Sequence, residues 1–312
     1  MHRAAASSAF ACLLVAACAS APQAPAAPPL PDPRSPHVFR GADGTRASWS
    51  ELVAAGAAAD ALVLGENHGH PLGLASAAAL FEDVLAQSPQ AALALEFFER
   101  DEQCHVDDYL AGLTDNAKFR EATFRKGSNY PDGHRAMVEA AKSAHRPVRA
   151  GNAPRVYVRL ARTEGYDKLR TLTPEQQRLF HIPDEMIGGA YRADFDALMD
   201  KPHLPGADPN AVEEPEVKRK RLDDGFRSQH LWDWTMADAL AGLIAGGAKP
   251  AVQVVGRFHS DKRGGLVQAL EKLRPGVRAT TVSFVDEAAD ALRDDDKGRA
   301  DFVIYVGPSP EP

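Results

Sequence analysis

From residue 60 onward, short apolar runs alternate with longer stretches in which apolar residues recur at helical spacing. The runs are four to six residues long, and most are apolar at consecutive positions, which is typical of parallel strands buried on both faces. Six runs of this kind predict strands at Ala61–Leu64, Ala92–Phe97, Pro147–Ala150, Ala251–Val255, Ala279–Phe284 and Phe302–Val306.

The stretches between these runs place their apolar residues along one side of a helix. They predict helices at Gly73–Ala86, Gly133–Ala144, Arg155–Arg162, His230–Ile244 and Leu266–Leu273. Because strands and helices alternate along the chain, we expect an α/β fold with a mainly parallel sheet flanked by helices on both faces.

Residues 165–225 interrupt this alternation. The segment is long and largely helical in pattern, and it is broken by prolines at positions 174, 183, 202, 205, 209 and 215. We interpret it as a helical insertion, either a subdomain or a lid, within an α/β domain that spans residues 37–312.

The composition of the 312-residue chain is that of an ordered globular protein, with 44% hydrophobic and 25% charged residues. It excludes a disordered chain, a coiled coil and a polytopic membrane protein. The formal net charge of −7 argues against a nucleic-acid partner, and the basic run at 218–221 is interpreted as a solvated helix face. The sequence has no P-loop, no GxGxxG after a strand, and no HExxH, CxxC or GxSxG pattern.

The N-terminus is typical of an exported protein. Arg3 precedes an apolar stretch, Ala4–Ala17, that is too short to span a bilayer. The sequence Val-Ala-Ala-Cys that ends at Cys18 resembles a bacterial lipobox, which predicts a lipoprotein signal peptide at 1–18 and acylation of Cys18. An ordinary cleaved signal peptide with an incidental cysteine is the alternative.

Residues 19–36 contain seven prolines, which favours an extended spacer rather than a folded core. Signal peptide, acylated cysteine and spacer together predict a protein that contacts a membrane through its lipid anchor only. Alanine rather than aspartate follows Cys18. By analogy with known sorting rules, this favours the outer membrane, with the folded domain in the periplasm.

Polar residues gather where the predicted strands end. Glu66, Asn67 and His68 follow the first strand, Glu96 ends the second, Asn152 follows the third and His259 follows the fourth. Ligands of open α/β sheets bind outside the carboxyl ends of the strands, so we expect these side chains to converge. His134 is interpreted as a residue at the rim of this site, and His70 is expected to be exposed.

Two glutamates and two histidines allow two kinds of chemistry. Glu66, His68, Glu96 and His259 suit a divalent metal such as zinc, manganese or iron. They also suit metal-free acid–base catalysis, in which a carboxylate raises the basicity of an imidazole. The alternative is that these are unrelated turn and capping residues.

Five segments resemble a known family, the ChaN-like haem-binding uptake lipoproteins of the Tiki superfamily. They occur in the family's order and span most of residues 60–306. The segments are LVLGENH (62–68), LALEFFER (93–100), NYPDGHRAMVEAAKSAHRPVRAGNAPR (129–155), SQHLWDWTMA (228–237) and GRFH (256–259).

The resemblance implies an α/β core in which Glu66, His68, Glu96 and His259 form the site shared across the superfamily. It also implies haem, held by a tyrosine with a histidine nearby, between the subunits of a homodimer. Ligand-binding roles are expected for Asn67, Tyr130, His134, Asn152, Tyr191, Gln229, Asp233 and Arg257. Gln229 and Asp233 would support the site from a helix, and the alternative for both is an exposed polar face of that helix.

Two functions follow. The first is a haem-binding lipoprotein that serves in iron acquisition. The second is a hydrolase, metal-dependent or based on histidine and glutamate, similar to the Tiki metalloproteases and erythromycin esterases of the superfamily. Its catalytic residues would be Glu66, His68, Glu96 and His259. A catalytically inactive scaffold for another ligand is a third alternative.

Overall fold

A computed structural model describes residues 30–125, 129–200 and 213–309. The strands within these residues are β1 (His37–Arg40), β2 (Arg46–Ala47), β3 (Ala61–Glu66), β4 (Ala92–Glu99), β5 (Val148–Asn152), β6 (Ala251–Gly256), β7 (Ala279–Val285) and β8 (Phe302–Tyr305). The helices are α1 (Trp49–Ala58), α2 (Pro71–Gln87), α3 (Gln103–Leu110), α4 (Asn116–Ala122), α5 (Asp132–Ser143), α6 (Arg155–Arg170), α7 (Pro174–Gln177), α8 (Gly189–Met199), α9 (Pro215–Ala245) and α10 (Gly265–Leu273).

The strands form a mixed sheet in the order β2-β1-β8-β7-β3-β6-β4-β5. The strands from β8 to β5 are parallel to one another, whereas β1 pairs antiparallel with both β2 and β8. All six predicted strands are present, and the α/β prediction with a mainly parallel sheet is confirmed. The central strands β3 and β6 are buried at every position, which is why their sequences are continuous apolar runs.

Helices cover both faces of the sheet, and each face has its own apolar core. On one face, Leu80 and Phe81 of α2 and Met137 of α5 pack against alternate residues of β3 and β4. On the other face, Trp234 of α9 and Leu266 of α10 pack against the intervening residues. This three-layer arrangement leaves the carboxyl ends of the strands as an edge that loops and helix ends must complete.

The described parts of the 165–225 segment are largely helical, as predicted. They comprise the end of α6, which kinks at Gly165 with a φ of 84°, then α7, α8 and the start of α9. Helix α9 begins at Pro215 rather than at His230, because proline is well suited to the first turn of a helix. Three residues of the basic run at 218–221 pair with carboxylates on this helix or beside it.

The last residues of the Pro-rich segment, which was predicted to be a spacer, include one that contacts the folded domain. Arg34 donates to the carboxylate of Asp83 on α2 at 2.8 Å, and this bond lowers the pKa of Asp83. Arg34 therefore ties this segment to the folded domain, and the part of the predicted spacer before Leu30 lies outside the described residues. Among the described residues, no helix combines the length and the apolarity needed to cross a membrane.

Candidate functional site

A buried carboxylate with two imidazoles lies at the carboxyl end of β3; we call Glu66, His68 and His134 the Glu66 cluster. Nδ1 of His68 lies 2.9 Å from one carboxylate oxygen of Glu66, and Nε2 of His134 lies 2.7 Å from the other. Burial raises the pKa of Glu66, but the two imidazoles, His134 above all, outweigh burial and lower it to about 2. Glu66 is therefore ionised at neutral pH.

His68 is the exposed member of this cluster. Its side chain is 68% exposed, in a turn that continues through Gly69 with a φ of 76°. The hydrogen bond to Glu66 raises the pKa of His68. Since Nδ1 is occupied by the carboxylate, Nε2 is the nitrogen that remains for a ligand or a proton.

A second group lies beside the first; we call Asp233, His259 and Glu96 the His259 cluster. Nδ1 of His259 lies 2.6 Å from Oδ1 of Asp233, and its Nε2 lies 3.8 Å from Oε1 of Glu96. The other oxygen of Glu96 accepts the Gly256 backbone N–H at 2.6 Å. Burial lowers the pKa of His259, but the charges of Asp233 and Glu96 outweigh burial and raise it overall.

Two polar side chains of the predicted helix hold this cluster in place. Asp233 has no exposed surface, and its Oδ2 accepts the hydroxyl of Tyr191 at 2.7 Å. The amide of Gln229 donates to the same hydroxyl at 2.9 Å. Both α9 residues are buried, so the alternative of an exposed polar helix face is wrong.

The two clusters meet at Gly256, the last residue of β6. Glu66 pairs with Gly256 in the register of β3 and β6, which places both strand ends at the same level. A Cβ at Gly256 would lie 2.6 Å from Nε2 of His68 and 3.5 Å from Oε2 of Glu96. A side chain at Gly256 would displace the imidazole of His68, so glycine favours this close approach. Glu66, His68, Glu96 and His259 thus lie at one edge of the sheet.

The structure gives no support for the predicted divalent-metal site at these four residues. Among the residues that the structure describes, no group of three or more His, Cys, Asp or Glu side chains is arranged to hold a metal ion. Several of their polar atoms are engaged by neighbouring groups instead. Glu66 is held by two imidazoles, Glu96 by a backbone N–H, and His259 by Asp233.

The other predicted ligand-binding residues differ in burial and in their hydrogen-bond partners. Asn67 is partly buried in the turn after β3, and Asn152 uses its side-chain oxygen to accept the Ala153 N–H at 2.9 Å. Arg257 pairs with Asp286 at 3.4 Å rather than with a residue of either cluster. His70 is buried, not exposed as expected, because its Nδ1 accepts the Gly73 N–H and caps α2.

Both tyrosines considered for haem lie within the protein. Tyr130 is 5% exposed, stacks on Phe97 with 5.5 Å between ring centres, and its hydroxyl has no hydrogen-bond partner among the described residues. Burial raises the pKa of Tyr130, and burial and Asp233 raise the pKa of Tyr191. Both shifts disfavour the phenolate form, which is the form that binds ferric iron.

A cavity of about 780 Å³ opens beside the Glu66 cluster, and we call it the acidic cavity. Burial raises the pKa of both Glu99 and Glu102 on its wall, and Arg125 pairs with Glu102 at 3.1 Å. The charged and imidazole side chains that line it are Glu66, His68, Glu96, Glu99, Asp101, Glu102, His105, Arg125, His134 and Arg155.

A second cavity, of about 580 Å³, lies between α6, α8 and α9, and we call it the arginine cavity. The sequence pattern did not predict this cavity, although arginines recur at helical spacing along the predicted helix Arg155–Arg162. Its lining combines apolar side chains with cations: Arg155, Val156, Val158, Arg159, Arg162, Phe195, Met199, Arg221, Gly225, Ser228, Gln229 and Trp232.

Fold and site together define a three-layer α/β protein with a histidine–carboxylate site at the carboxyl ends of its parallel strands. The family model described as "Haem-binding uptake, Tiki superfamily, ChaN" matches residues 52–270. The chain therefore belongs to the ChaN family of the Tiki superfamily. A search of the curated proteins finds no significant match.

Several solved structures are similar to this chain. The structure titled "Cofacial heme binding to ChaN of Campylobacter jejuni" has a TM-score of 0.64 at 15% identity, over 88% of this chain and 98% of that one. The structure of the type III effector HopBA1 has a TM-score of 0.43 at 14% identity, over 83% of this chain and 92% of that one. The structure of a mutant erythromycin esterase, EreC, has a TM-score of 0.42 at 13% identity, over 83% of this chain and 78% of that one.

Proposed function

We propose that this protein binds haem and serves in haem uptake. The observation that carries the proposal is the match of residues 52–270 to the haem-binding uptake family. The ChaN structure from Campylobacter jejuni, which is described as binding haem, covers nearly the whole chain with the same fold. Iron acquisition is the purpose that we propose for such binding.

The side chains present fit haem in two respects. Haem requires an apolar slot for the macrocycle and cations for its two propionates, and the arginine cavity provides both. Methionine ligates haem iron in proteins together with histidine, and the lining of this cavity includes Met199 but no histidine. In the acidic cavity, His68 has the carboxylate-supported imidazole that is common among metal ligands.

A haemin titration tests the proposal. The Cys18→Ser chain, which cannot be acylated, is titrated with haemin while the Soret band is followed. We expect a saturable shift with whole-number stoichiometry, and the same chain in denaturing urea serves as the control. A linear rise without saturation would contradict haem binding.

The same titration tests the two buried tyrosines. If Tyr130 or Tyr191 ligates the iron, its replacement by phenylalanine changes the position of the Soret band. Because both phenols are buried and their pKa values are raised, we expect the spectra of Tyr130→Phe and Tyr191→Phe to match that of the parent chain. A shifted band in either variant would restore that tyrosine as a ligand.

We also propose that residues 1–18 are a lipoprotein signal peptide and that acylated Cys18 anchors the domain to the outer membrane. These residues lie outside those that the structure describes, and the support is the lipobox-like sequence that ends at Cys18. Labelled fatty acid is expected to enter the parent chain and not the Cys18→Ser variant.

The His259 cluster supports a second candidate function, hydrolysis without a metal. A buried carboxylate on Nδ1 orients the imidazole of His259, so that Nε2 is free to accept a proton from water. Glu96 lies 3.8 Å from that nitrogen and stabilises its protonated form.

A small aryl ester tests this candidate. Hydrolysis is expected to rise with pH through the pKa of His259, since only the neutral imidazole acts as a base. His259→Ala should abolish the activity, whereas His181→Ala, at a histidine that pairs with Asp238 instead, should retain it. No hydrolysis above the buffer rate would remove the candidate.

A further inference from the structure

The charged side chains that line the arginine cavity are all cations. Four arginines line it, and among the described residues of its wall there is no aspartate or glutamate. The chain as a whole carries 43 acidic residues and a net charge of −7, so this wall differs from the rest of the protein. Because the attraction between charges falls with distance, the cavity attracts anions although the whole molecule is acidic.

Two of these arginines have no carboxylate partner. Arg159 and Arg162 are exposed on the same side of α6, and neither makes an ion pair with the residues that the structure describes. The other two arginines pair with glutamates, at 3.4 and 2.8 Å. Like charges three residues apart destabilise a helix, so an anion bound between Arg159 and Arg162 relieves their repulsion.

The rest of the wall is largely apolar. Val158 and Phe195 are buried, whereas Val156 and Met199 expose 54% and 36% of their surface. The indole N–H of Trp232, which also lines the cavity, has no hydrogen-bond partner among the described residues. The volume of about 580 Å³ is within the range of small-molecule sites, about 300–1,000 Å³. Apolar side chains beside unpaired cations favour a ligand with an apolar body and an anionic end.

Haem has such a body and such ends, but its iron requires an axial ligand. Histidine, cysteine and tyrosine serve this purpose in proteins, as does methionine together with histidine. The described lining of the arginine cavity has none of the first three, and Met199 has no histidine beside it in that lining. The carboxylate-supported imidazole of His68 belongs to the acidic cavity instead. The arginine cavity therefore suits an amphipathic anion without a metal.

We propose that the arginine cavity binds a fatty acid, with its carboxylate on Arg159 and Arg162 and its alkyl chain against Val156, Phe195 and Met199. Arginine binds carboxylate through charge-assisted hydrogen bonds that are frequently paired. Residues three apart on a helix have Cβ atoms about 5–6 Å apart, so two long arginine side chains can reach one carboxylate. The inference goes beyond the proposed haem function and does not depend on it.

Isothermal titration calorimetry of the Cys18→Ser chain with decanoate tests the anionic end. We expect one site per chain. Decan-1-ol, which has the same alkyl chain without a charge, should bind at least about tenfold more weakly, because the charge-assisted hydrogen bonds are lost. In the Arg159→Gln/Arg162→Gln variant, the affinity for decanoate should fall to that for the alcohol.

The matched control is the Arg170→Gln/Arg219→Gln variant. It removes two exposed arginines that line a polar groove elsewhere on α6 and α9. Its affinity for decanoate should equal that of the parent chain. Circular dichroism should show the same folded content in all variants, since the exchanged side chains are exposed.

The length of the alkyl chain tests the apolar wall. From hexanoate to decanoate, each added methylene should raise the affinity about threefold to fourfold, because it removes further apolar surface from water. An affinity that does not change with chain length would mean that the anion binds without using the apolar wall, and it would overturn the proposal.

The remaining outcomes identify what the cavity holds. The proposal is overturned if decanoate shows no saturable binding, or if the Arg159→Gln/Arg162→Gln variant retains parental affinity. Decyl phosphate that binds about tenfold more tightly than decanoate would assign the cavity to a phosphorylated lipid instead. Haemin that displaces decanoate one for one would assign it to haem. Binding of decanoate without binding of haemin would leave this inference standing while the proposed function fails.

Discussion

At the scale of single residues, the site depends on charges that are buried and paired. Asp233 is fully buried and is held by two donors, His259 and Tyr191. A buried carboxylate without such partners costs several kcal/mol. The same principle applies to Glu66, whose two imidazole partners keep it ionised.

Replacing Asp233 by alanine tests this pairing. The change leaves the ring N–H of His259 and the hydroxyl of Tyr191 buried without their acceptor, so the free energy of unfolding should fall by about 3–5 kcal/mol. Urea unfolding monitored by tryptophan fluorescence measures it. Asp167→Ala, at a carboxylate whose side chain is 98% exposed, should change stability by less than about 0.5 kcal/mol.

The same contact predicts a dependence of stability on pH. The pKa of His259 is raised above its ordinary value of 6.5. Its contribution to stability is therefore complete below pH 6.5 and is lost as the pH rises through the pKa of the folded state. In the Asp233→Asn variant, the stability lost as the pH rises should be smaller than in the parent chain. Equal pH profiles for the parent chain and Asp233→Asn, in urea unfolding between about pH 6 and pH 9, would disprove this role.

At the scale of elements, the site exists because α9 and α10 approach closely. A Cβ at Gly265, the first residue of α10, would lie 2.1 Å from Oδ2 of Asp233 and 2.5 Å from Cε1 of Tyr191. Helix α10 can therefore reach the Asp233 carboxylate only with glycine at its start. The sequence of α9 shows its apolar face, but nothing in it shows how near α10 comes.

Two glycine-to-alanine substitutions distinguish a glycine needed for close contact between elements from one that only lowers helix propensity. Gly265→Ala should destabilise the protein by about 1–3 kcal/mol, because the added methyl group displaces Asp233 or Tyr191. Gly242→Ala, at an exposed position of α9 with no heavy atom within 4 Å of the new Cβ, should stabilise by about 0.4–1 kcal/mol. Thermal unfolding measures both, and a neutral Gly265→Ala would show that the contact is not tight.

At the scale of the whole molecule, haem binding also bears on assembly. The homodimer was expected from the family resemblance and remains a prediction. Val156 and Met199 expose 54% and 36% of their surface, and a second copy would cover this apolar surface. Cofacial haem binding is the description of the ChaN structure from Campylobacter jejuni.

Sedimentation velocity tests this assembly. The Cys18→Ser chain should sediment as a monomer alone and as a dimer with saturating haemin. Val156→Asp, which places a charge on the exposed apolar rim, should weaken the dimer, because burying an unpaired carboxylate is costly. A monomer at saturating haemin would contradict the dimer without bearing on haem binding itself.

The sequence by itself determined the six core strands and the polar residues that follow them. A parallel strand buried on both faces must be a continuous apolar run, so Glu66 and Glu96 stand out at the end of such runs and His259 stands out shortly after one. It did not reveal β1 and β2, whose four and two residues are too short for a pattern.

Only the tertiary structure decided which polar groups pair. His134 meets Glu66 across 68 residues of chain, and Asp233 meets His259 across 26. The capping role of His70 and the cavity behind Arg159 and Arg162 likewise depend on how helices pack. Periodicity specifies which face of a helix is apolar, whereas the partner of each polar side chain is set by distances between elements far apart in sequence.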